Sequence, residues 1–354
     1  MAKKMLYLPF ELIIEILLRL PVKSLLRFKA VCKSWFSLIS QPNFANSHFQ
    51  ITAATRTSRI LTITQTLPPK FQSIDFEINN DSVSLNHNFL PPPYTYCQIK
   101  GSCRGFICLY SFRDIWIWNP SNRFHKQIPL SRFGSVLHNF TYHLYGFGYD
   151  QSRDDYVVVL LTCYLITNFS CVLEFFSLRD NTWNEIGKTH LTYLNPCQCK
   201  AGSFINGVVH WLAIKYDLGV DVIVAFDLME RKLFEMPLPN DFHHSRENYG
   251  IWVFGEFLSL WVKDYPNNTT EIWVMKEYKL HSSWTKTLVI CAEGGSSFYK
   301  PVCRTKSGDI IGKDHDRLVK YNDKGQLLEY LHIDRYADDL AMYTESLFSL
   351  PGEL

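Results

Sequence analysis

The sequence predicts a mainly β protein, with three short N-terminal helices followed by a β-propeller-like domain of about six blades. Apolar residues recur at helical spacing within roughly the first forty residues. From about residue 55 onward, short strands separated by turn residues replace that pattern. The β segments also resemble one another at intervals of roughly 42 to 58 residues, the length of a four-stranded propeller blade.

Prolines divide the N-terminal segment "LPFELIIEILLRLPVKSLLRFKAVCKSWFSLI" (8–39) into three predicted helices. Pro9 opens the first helix, where a missing N–H is tolerated, and Pro21 ends that helix and starts the second. The third helix is expected to stop near Pro42. About forty residues cannot easily build a self-sufficient core, so we expect the rest of the chain or a partner to cover this apolar surface.

Five later segments share one order of strand, loop, strand, tight turn and strand. The residues that close the third strand align as Asn119, Ser177, Asp227, Tyr278 and Asn322, and a bulky apolar residue follows each at Phe124, Trp183, Leu233, Trp284 and Leu328. A fainter sixth unit places its equivalent near Glu77. The segment Tyr343–Leu350 is predicted to be a strand that pairs with Arg59–Thr64 and closes the ring. A β-sandwich of unrelated strands is the alternative, because the repeat is irregular.

The connections predict which face of the propeller binds a ligand. Turns between third and fourth strands are short, whereas the connections between blades, near 130–145, 187–200, 238–249 and 291–300, are long. These connections share a face with the loops between second and third strands, and we call it the long-loop face. Its aromatic and histidine side chains suit protein binding; they are Phe133, His138, Phe140, Tyr142, His143, Phe242, His243, His244, Tyr249, Tyr265 and Tyr299. For each residue, filling a gap between blades is an equally good interpretation.

Composition excludes several classes of protein. With 354 residues, 47% hydrophobic and 20% charged, the chain is typical of a folded protein, and its net charge of +2 gives no reason to expect nucleic acid or a membrane as partner. No secretory signal is visible, so we expect a location in the cytoplasm or nucleus and reduced cysteines. Cys197 and Cys199 lack a second close pair of ligands, so neither zinc nor any other metal or cofactor is expected.

The sequence contains none of the common catalytic signatures, such as a nucleophile elbow, a zinc-protease motif or a phosphate-binding loop. His243-His244 and Asp314-His315-Asp316 could bind metal or shuttle protons, but each lacks an identifiable third partner. We therefore expect a protein that is not an enzyme by itself.

The opening segment, "LPFELIIEILLRLPVKSLLRFKAVCKSW", closely resembles the F-box. The remainder resembles the F-box-associated domain of plant F-box proteins in "GSCRGFICL", "IWNPSNRFHKQIP", "YGFGYDQSRDDYVVV", "GSFINGVVHWLA", "IVAFDL", "EIWVMKEYKLHSSWTK" and the closing "YTESLFSLP". S-locus F-box proteins and F-box/kelch-repeat proteins share this layout, so the resemblance implies a kelch-like propeller. Phe10, where an acidic or polar residue is common, and "YVVV" (156–159), in place of Tyr-Lys-Val-Val, are small departures.

The resemblance implies an F-box at 1–45 and a substrate-recognition domain at 46–354. Such proteins dock on a Skp-family adaptor, which joins them to the cullin and RING subunits of a ubiquitin ligase, and their β domain captures a target protein. By residue matching, the adaptor-binding set is Leu8, Pro9, Leu12, Ile16, Leu20, Pro21, Leu25, Val31, Cys32 and Trp35. Ile16 and Trp35 fit an internal core equally well. A carbohydrate-binding, lectin-like propeller and a propeller hydrolase remain the alternative functions.

Overall fold

The computed structural model of the chain describes residues 8–55, 58–66, 68–76, 81–90, 97–111, 114–133, 141–164, 170–189, 193–194, 201–215, 218–240, 242, 244, 248–291 and 299–350. Within these ranges, four helices precede six antiparallel β-sheets. The sheets are the blades of a six-bladed propeller, as the sequence predicts.

The helices are α1 (Phe10–Leu18), α2 (Val22–Phe28), α3 (Lys33–Ile39) and α4 (Pro42–Thr55). Pro9 and Pro21 stand at the N-caps of α1 and α2, because a residue with a fixed φ and no N–H is tolerated there. The sequence does not predict α4. The third helix ends at Ile39, near Pro42 as expected, and Pro42 is also the first residue of the fourth. The expected domain boundary at 45/46 falls inside α4 and stays a prediction.

Three blades form the first half of the ring. Blade 1 contains β1 (Arg59–Thr64), β2 (Phe71–Asp75), β3 (Asp81–Leu85) and β25 (Ala337–Tyr343). Blade 2 contains β4 (Cys97–Cys103), β5 (Phe106–Ser111), β6 (Asp114–Trp118) and β7 (His125–Ile128). Blade 3 contains β8 (Thr141–Asp150), β9 (Asp155–Tyr164), β10 (Ser170–Ser177) and β11 (Thr182–Thr189).

The other three blades complete the ring. Blade 4 contains β12 (Tyr193–Leu194), β13 (Ser203–Ile205), β14 (Val208–Lys215), β15 (Val220–Asp227) and β16 (Lys232–Pro237). Blade 5 contains β17 (Tyr249–Phe254), β18 (Phe257–Asp264), β19 (Thr269–Met275) and β20 (Trp284–Cys291), with a 3₁₀ turn at His281–Ser283. Blade 6 contains β21 (Tyr299–Arg304), β22 (Ile310–Asp314), β23 (Arg317–Tyr321) and β24 (Leu327–His332).

The ring is closed by the last strand of the chain. β25 pairs antiparallel with β1, and Tyr343 lies opposite Arg59, so blade 1 is assembled from both ends of the domain. Closure is confirmed, but the predicted strand Tyr343–Leu350 is wrong in its bounds. The strand ends at Tyr343, and residues 344–350 take no strand pairing, because they leave the sheet and pack between the helices and blade 2.

The inner strands approach one another closely. A Cβ added to Gly101 of β4 would lie 2.6 Å from the Cβ of Phe147 on β8, which is closer than real Cβ contacts. The apolar side chains of neighbouring blades therefore interlock around the ring, for example Leu161 of blade 3 with Trp211 and Val224 of blade 4.

One cysteine pair departs from the expectation of reduced thiols. Cys163 of β9 and Cys171 of β10 lie directly opposite each other in the register, with their Cα atoms 4.1 Å apart, and form a disulfide. The expectation is wrong for this pair, because strand pairing places the two sulfur atoms in contact. Among the described residues, the cysteines outside this disulfide are Cys32, Cys97, Cys103, Cys108, Cys291 and Cys303.

Candidate functional site

The first helix is buried on one side and exposed on the other. Leu17 and Leu18 are buried, whereas Leu12 and Ile16, one turn apart on α1, are 49% and 51% exposed. Leu8 precedes them by the same spacing, just before the helix, and is equally exposed. Residues four apart on a helix share a face, so Leu12 and Ile16 form an apolar stripe that the described chain does not cover.

The second exposed apolar region lies at the start of α3. Val31 and Phe36 are exposed, and Phe36 lines a shallow groove together with Lys29, Ala30, Cys32 and Lys33. Partial burial lowers the pKa of the Lys29 ammonium group. We call Leu8, Leu12, Ile16, Val31 and Phe36 the F-box apolar surface.

The remaining predicted adaptor-binding residues divide between interior and surface. Leu25 is fully buried and belongs to the core, while Leu20 is half-buried. Trp35 is also half-buried, with its ring 5.3 Å from that of Phe28. Pro9, Pro21 and Cys32 are exposed.

Sequence reasoning missed Phe36 and treated the exposed Phe10 only as a departure from the F-box pattern. A usable signal was present for Phe36. Adjacent residues on a helix point in different directions, so an inward Trp35 turns Phe36 toward solvent.

The helices pack on the face of the propeller opposite the long loops. The turns that join first to second strands and third to fourth strands form this face, which we call the short-turn face. In the β4–β5 turn, Arg104 donates from Nη2 to Oδ1 of Asn46 on α4 at 2.6 Å. The Arg104 guanidinium also lies 3.9 Å from the ring centre of Tyr149 and 5.8 Å from that of Phe49. Leu17 and Leu25 accordingly share one hydrophobic core with residues of blades 2 and 3.

On the long-loop face, several predicted residues turn out to be structural. Tyr249 is 1% exposed. Phe242 packs edge-on against Tyr249 and His244, with ring centres 5.0 Å apart in each pair, and lies 6.1 Å from Trp273. These contacts indicate that Phe242 fills the junction between blades 4 and 5.

Three further predicted residues lie near blade 3. Phe133 is half-buried after β7. Tyr142 packs against the core between blades 3 and 4, and His143 Nδ1 lies 3.1 Å from the Thr162 hydroxyl. His138, Phe140, His243 and the side chain of Tyr299 lie outside the described residues.

Several exposed apolar side chains of this face lie at blades 4 and 5. Tyr265, at the β18–β19 turn, is 48% exposed, and the Lys263 ammonium lies 4.5 Å from its ring centre. Leu218 and Val220, at the β14–β15 turn of the neighbouring blade, are also exposed. Sequence reasoning missed Leu218 and Val220, although apolar residues beside the turn glycine Gly219 were a signal that could have found them.

The charges beside Tyr265 are arranged by short-range contacts. The side-chain amide of Asn267 donates to Asp264 at 2.7 Å, and this hydrogen bond, with a second from the Asn267 backbone, lowers the pKa of the Asp264 carboxyl. Burial lowers the pKa of the neighbouring Lys263 ammonium. An aromatic ring, a carboxylate and amide groups are therefore presented together at this turn.

The candidate metal residues have other roles where they are described. Asp314 pairs with Arg317 at 2.9 Å, and His315 has a φ of 52° at the β22–β23 turn. Within the described part of the chain, no group of three or more histidine, cysteine, aspartate or glutamate side chains is placed to hold a metal ion. Of the helices described, none has the length and apolar character needed to cross a membrane.

Comparisons with known proteins agree with this two-part organisation. Residues 5–47 match the F-box domain family, and residues 52–319 match the family of F-box associated beta propeller domains. The F-box/kelch-repeat protein At3g23880 of Arabidopsis thaliana is 30% identical over 89% of this chain and 87% of its own length. The F-box protein CPR1 of the same plant is 28% identical over 80% and 73%. Among solved structures, a putative 6-phosphogluconolactonase from Bacteroides uniformis covers 81% of this chain and 99% of its own at a TM-score of 0.45 and 11% identity.

Proposed function

The chain belongs to the F-box proteins that carry an F-box-associated β-propeller, and on that premise we propose that it is the substrate-recognition subunit of a Skp–cullin–F-box ubiquitin ligase. The observation that best supports the proposal is the F-box apolar surface. Five large apolar side chains stay about half exposed or more on a module whose other side is packed into a shared core. Exposed apolar side chains grouped on one module of an otherwise folded protein are typical of a binding surface.

The adaptor would cover this surface. Burying Leu12 and Ile16 in a partner removes the exposed half of two branched apolar side chains from water. Each burial gains about 1 kcal/mol, half the value for a fully exposed side chain. The chain supplies no catalyst for ubiquitin transfer in this proposal. Its contribution is proximity, because it holds a target lysine near the activated ubiquitin carried by other subunits.

The long-loop face is the proposed site of substrate capture. The F-box occupies the short-turn face, so the long-loop face points away from the adaptor and is open to a second protein. Among the residues predicted for this face, Tyr265 is the most exposed of those described, and Leu218 and Val220 are exposed on the same face of the neighbouring blade. Anchors of this kind carry most of the binding energy in protein interfaces.

The test is capture of a recombinant Skp-family adaptor by the full chain. Leu12→Asp combined with Ile16→Asp should abolish co-purification, because two carboxylates would be buried in the interface. Leu328→Asp on the outer strand β24 is the matched control, since Leu328 is 51% exposed, as Ile16 is. Equal adaptor capture by both variants would refute the proposed docking surface.

A second candidate function, glycan binding, has one specific observation in its favour. Tyr265 presents an exposed ring beside the Asp264 carboxylate and the Asn267 amide. A ring that stacks on a sugar, flanked by carboxylate and amide groups, is the arrangement expected of a lectin-like site. Screening the full chain on a glycan array tests it; binding that Tyr265→Ala abolishes would favour a glycan-recognising receptor over a receptor of unmodified proteins.

A further inference from the structure

Four of the seven residues that follow the last propeller strand, 344–350, are buried although the segment belongs to no sheet. Ser346 is fully buried, and Leu347, Phe348 and Leu350 are nearly so. These apolar side chains share one core with Leu17 of α1 and with Phe106 of blade 2. We call residues 344–350 the C-terminal strap.

On the propeller side, asparagine amides of the β6–β7 turn hold the strap. Asn119 donates from Nδ2 to the Ser346 carbonyl at 3.2 Å, to the Ser346 hydroxyl at 3.0 Å and to the Phe348 carbonyl at 3.0 Å. Asn122 donates to the same Phe348 carbonyl at 2.8 Å. The Ser346 N–H donates to the Ser121 hydroxyl at 3.1 Å. The backbone groups of the strap thus find partners away from any sheet, as buried polar groups require.

On the F-box side, aromatic contacts hold the strap. The Phe348 ring lies 5.2 Å from the ring of Phe49 on α4. The Arg104 guanidinium stands 4.7 Å from the Phe348 ring centre while it bonds Asn46. The strap therefore lies between α4 and blade 2 and contacts both.

Equivalent turns in other blades show that the amide nitrogen of Asn119 is not needed for the turn itself. Asp227 of blade 4 accepts the backbone N–H groups of the two following turn residues through Oδ1 alone. Asn322 of blade 6 likewise accepts the backbone N–H groups of Lys324 and Gln326 through Oδ1, while its Nδ2 donates to Oε1 of the Gln326 side chain at 2.9 Å. Asn119 also accepts the Ser121 N–H through Oδ1, which leaves its Nδ2 for the strap.

A glycine in the neighbouring β4–β5 turn supports the same conclusion. Gly105 has a φ of 86°, and a Cβ on it would meet the Ser346 hydroxyl at 2.1 Å. The strap therefore explains both residue types: Gly105 leaves room for Ser346, and Asn119 provides an amide nitrogen that donates to the strap.

We propose that residues 344–350 act as a strap that fixes the F-box to the short-turn face and so sets the orientation of the long-loop face relative to the adaptor. The fixing itself depends only on the contacts above; its orienting role rests on the proposed ligase function. A rigid connection of this kind keeps a bound target at a constant position with respect to the activated ubiquitin, which is how a positioning subunit accelerates a reaction.

The test is hydrogen–deuterium exchange on the full chain carrying Asn119→Asp and Asn122→Asp. Each carboxylate keeps the oxygen that accepts the turn N–H groups but sets a negative oxygen against the Phe348 carbonyl. Amides of α4 and of the strap should exchange at least about tenfold faster, equivalent to about 1.4 kcal/mol of opening free energy. Strands β9 and β14 should keep their protection. Asn322→Asp is the matched control, because it makes the same change in a turn without a strap, and α4 should exchange as in the wild type.

Release of the strap with unchanged protection of α4 would overturn the proposal, as would an undisturbed strap. If the double variant exposes every strand, Phe348→Ala serves instead, since it removes the ring that contacts Phe49 and leaves the turn intact. Unchanged α4 protection in Phe348→Ala would then be the contradicting result. The ligase proposal is tested by a different measurement, namely adaptor capture. The Leu12→Asp and Ile16→Asp double variant should no longer bind the adaptor, while hydrogen–deuterium exchange in the strap stays as in the wild type.

Discussion

The hydroxyl groups of Ser73 and Tyr343 lie 2.7 Å apart, although 270 residues separate them along the chain. Arg59 donates from Nε to the same Ser73 oxygen at 2.6 Å. Burial raises the pKa of the Tyr343 phenol to about 12, so the group stays a neutral hydrogen-bonding partner at physiological pH. These contacts hold the first and last strands of the propeller together.

Closure predicts a sharp difference between two truncations. Removal of 337–354 takes away the innermost strand of blade 1 and should destabilise the whole ring by more than about 4 kcal/mol, with aggregation through the exposed edge. Removal of 344–354 spares β25 and should leave the propeller's melting transition in place while it loosens the F-box. Thermal unfolding followed by circular dichroism measures both, and equal melting temperatures for the two truncations would contradict the role of β25.

The adaptor surface predicts a loss of affinity without loss of fold. Leu8→Ala with Pro9→Ala removes exposed groups at the entry to α1, so the interface should weaken by about 2 kcal/mol or more, while the propeller stays folded. Titration of purified adaptor into the full chain measures the change. Adaptor affinity equal to that of the wild type would remove Leu8 and Pro9 from the interface.

The burial of His210 predicts that the protein is less stable in acid. It is fully buried between Ser203 and Tyr278, and burial lowers its pKa from 6.5 to about 4. Between these values the unfolded chain binds a proton that the folded chain does not. The free energy of unfolding should therefore fall as pH falls from about 6.5 to about 4, by up to about 3 kcal/mol from this residue.

Urea unfolding at pH 7 and pH 5 measures that dependence. His210→Gln should flatten the slope, because it removes the titrating group and keeps polar atoms for Ser203 and Tyr278. Tyr278→Phe is the control, since it loses the hydroxyl but retains the imidazole. A slope that His210→Gln leaves unchanged would assign the acid sensitivity to another group.

We predict that alanine substitution of two tyrosines on the long-loop face has very different effects on stability. Tyr249→Ala should cost about 3–5 kcal/mol of stability, because it empties a buried site against Phe242. Tyr265→Ala should change stability by less than about 0.5 kcal/mol, because its ring is exposed. Chemical denaturation of both variants measures the difference. A large loss of stability in Tyr265→Ala would give that ring a structural role and remove it from the proposed binding surface.

The six blades could be predicted from sequence because the turns between third and fourth strands recur with similar residue types as well as similar lengths. Asn119, Asp227 and Asn322 each close a third strand with a side-chain oxygen that accepts a turn N–H, and such residues are readable without a structure. The first and last residues of β25 could not be predicted from the sequence. The segment after Tyr343 is as apolar as a strand, and only its contact with asparagines 226 or more residues away takes it out of the sheet.

The helix α4 was missed for a related reason. Its apolar residues follow no strong helical stripe, since it packs against α1, α3 and the propeller from several sides. The individual roles of the predicted site residues also depended on distant neighbours. Tyr249 and Tyr265 have the same side chain on the same face, and the packing of Phe242 and Trp273 decides that Tyr249 is interior.

Because β25 closes the ring, the propeller cannot close until this last strand has been synthesised. Thr64, at the end of β1, leaves the ribosome 273 residues before Ala337, its partner in β25. At roughly 5–20 residues per second, roughly 14 to 55 s pass before the two can pair. Throughout that interval the nascent chain carries an F-box and an unpaired strand edge. A chain whose synthesis stops within the propeller before β25 therefore consists of an F-box joined to an open ring, and only translation through Leu350 produces a propeller that is both closed and strapped.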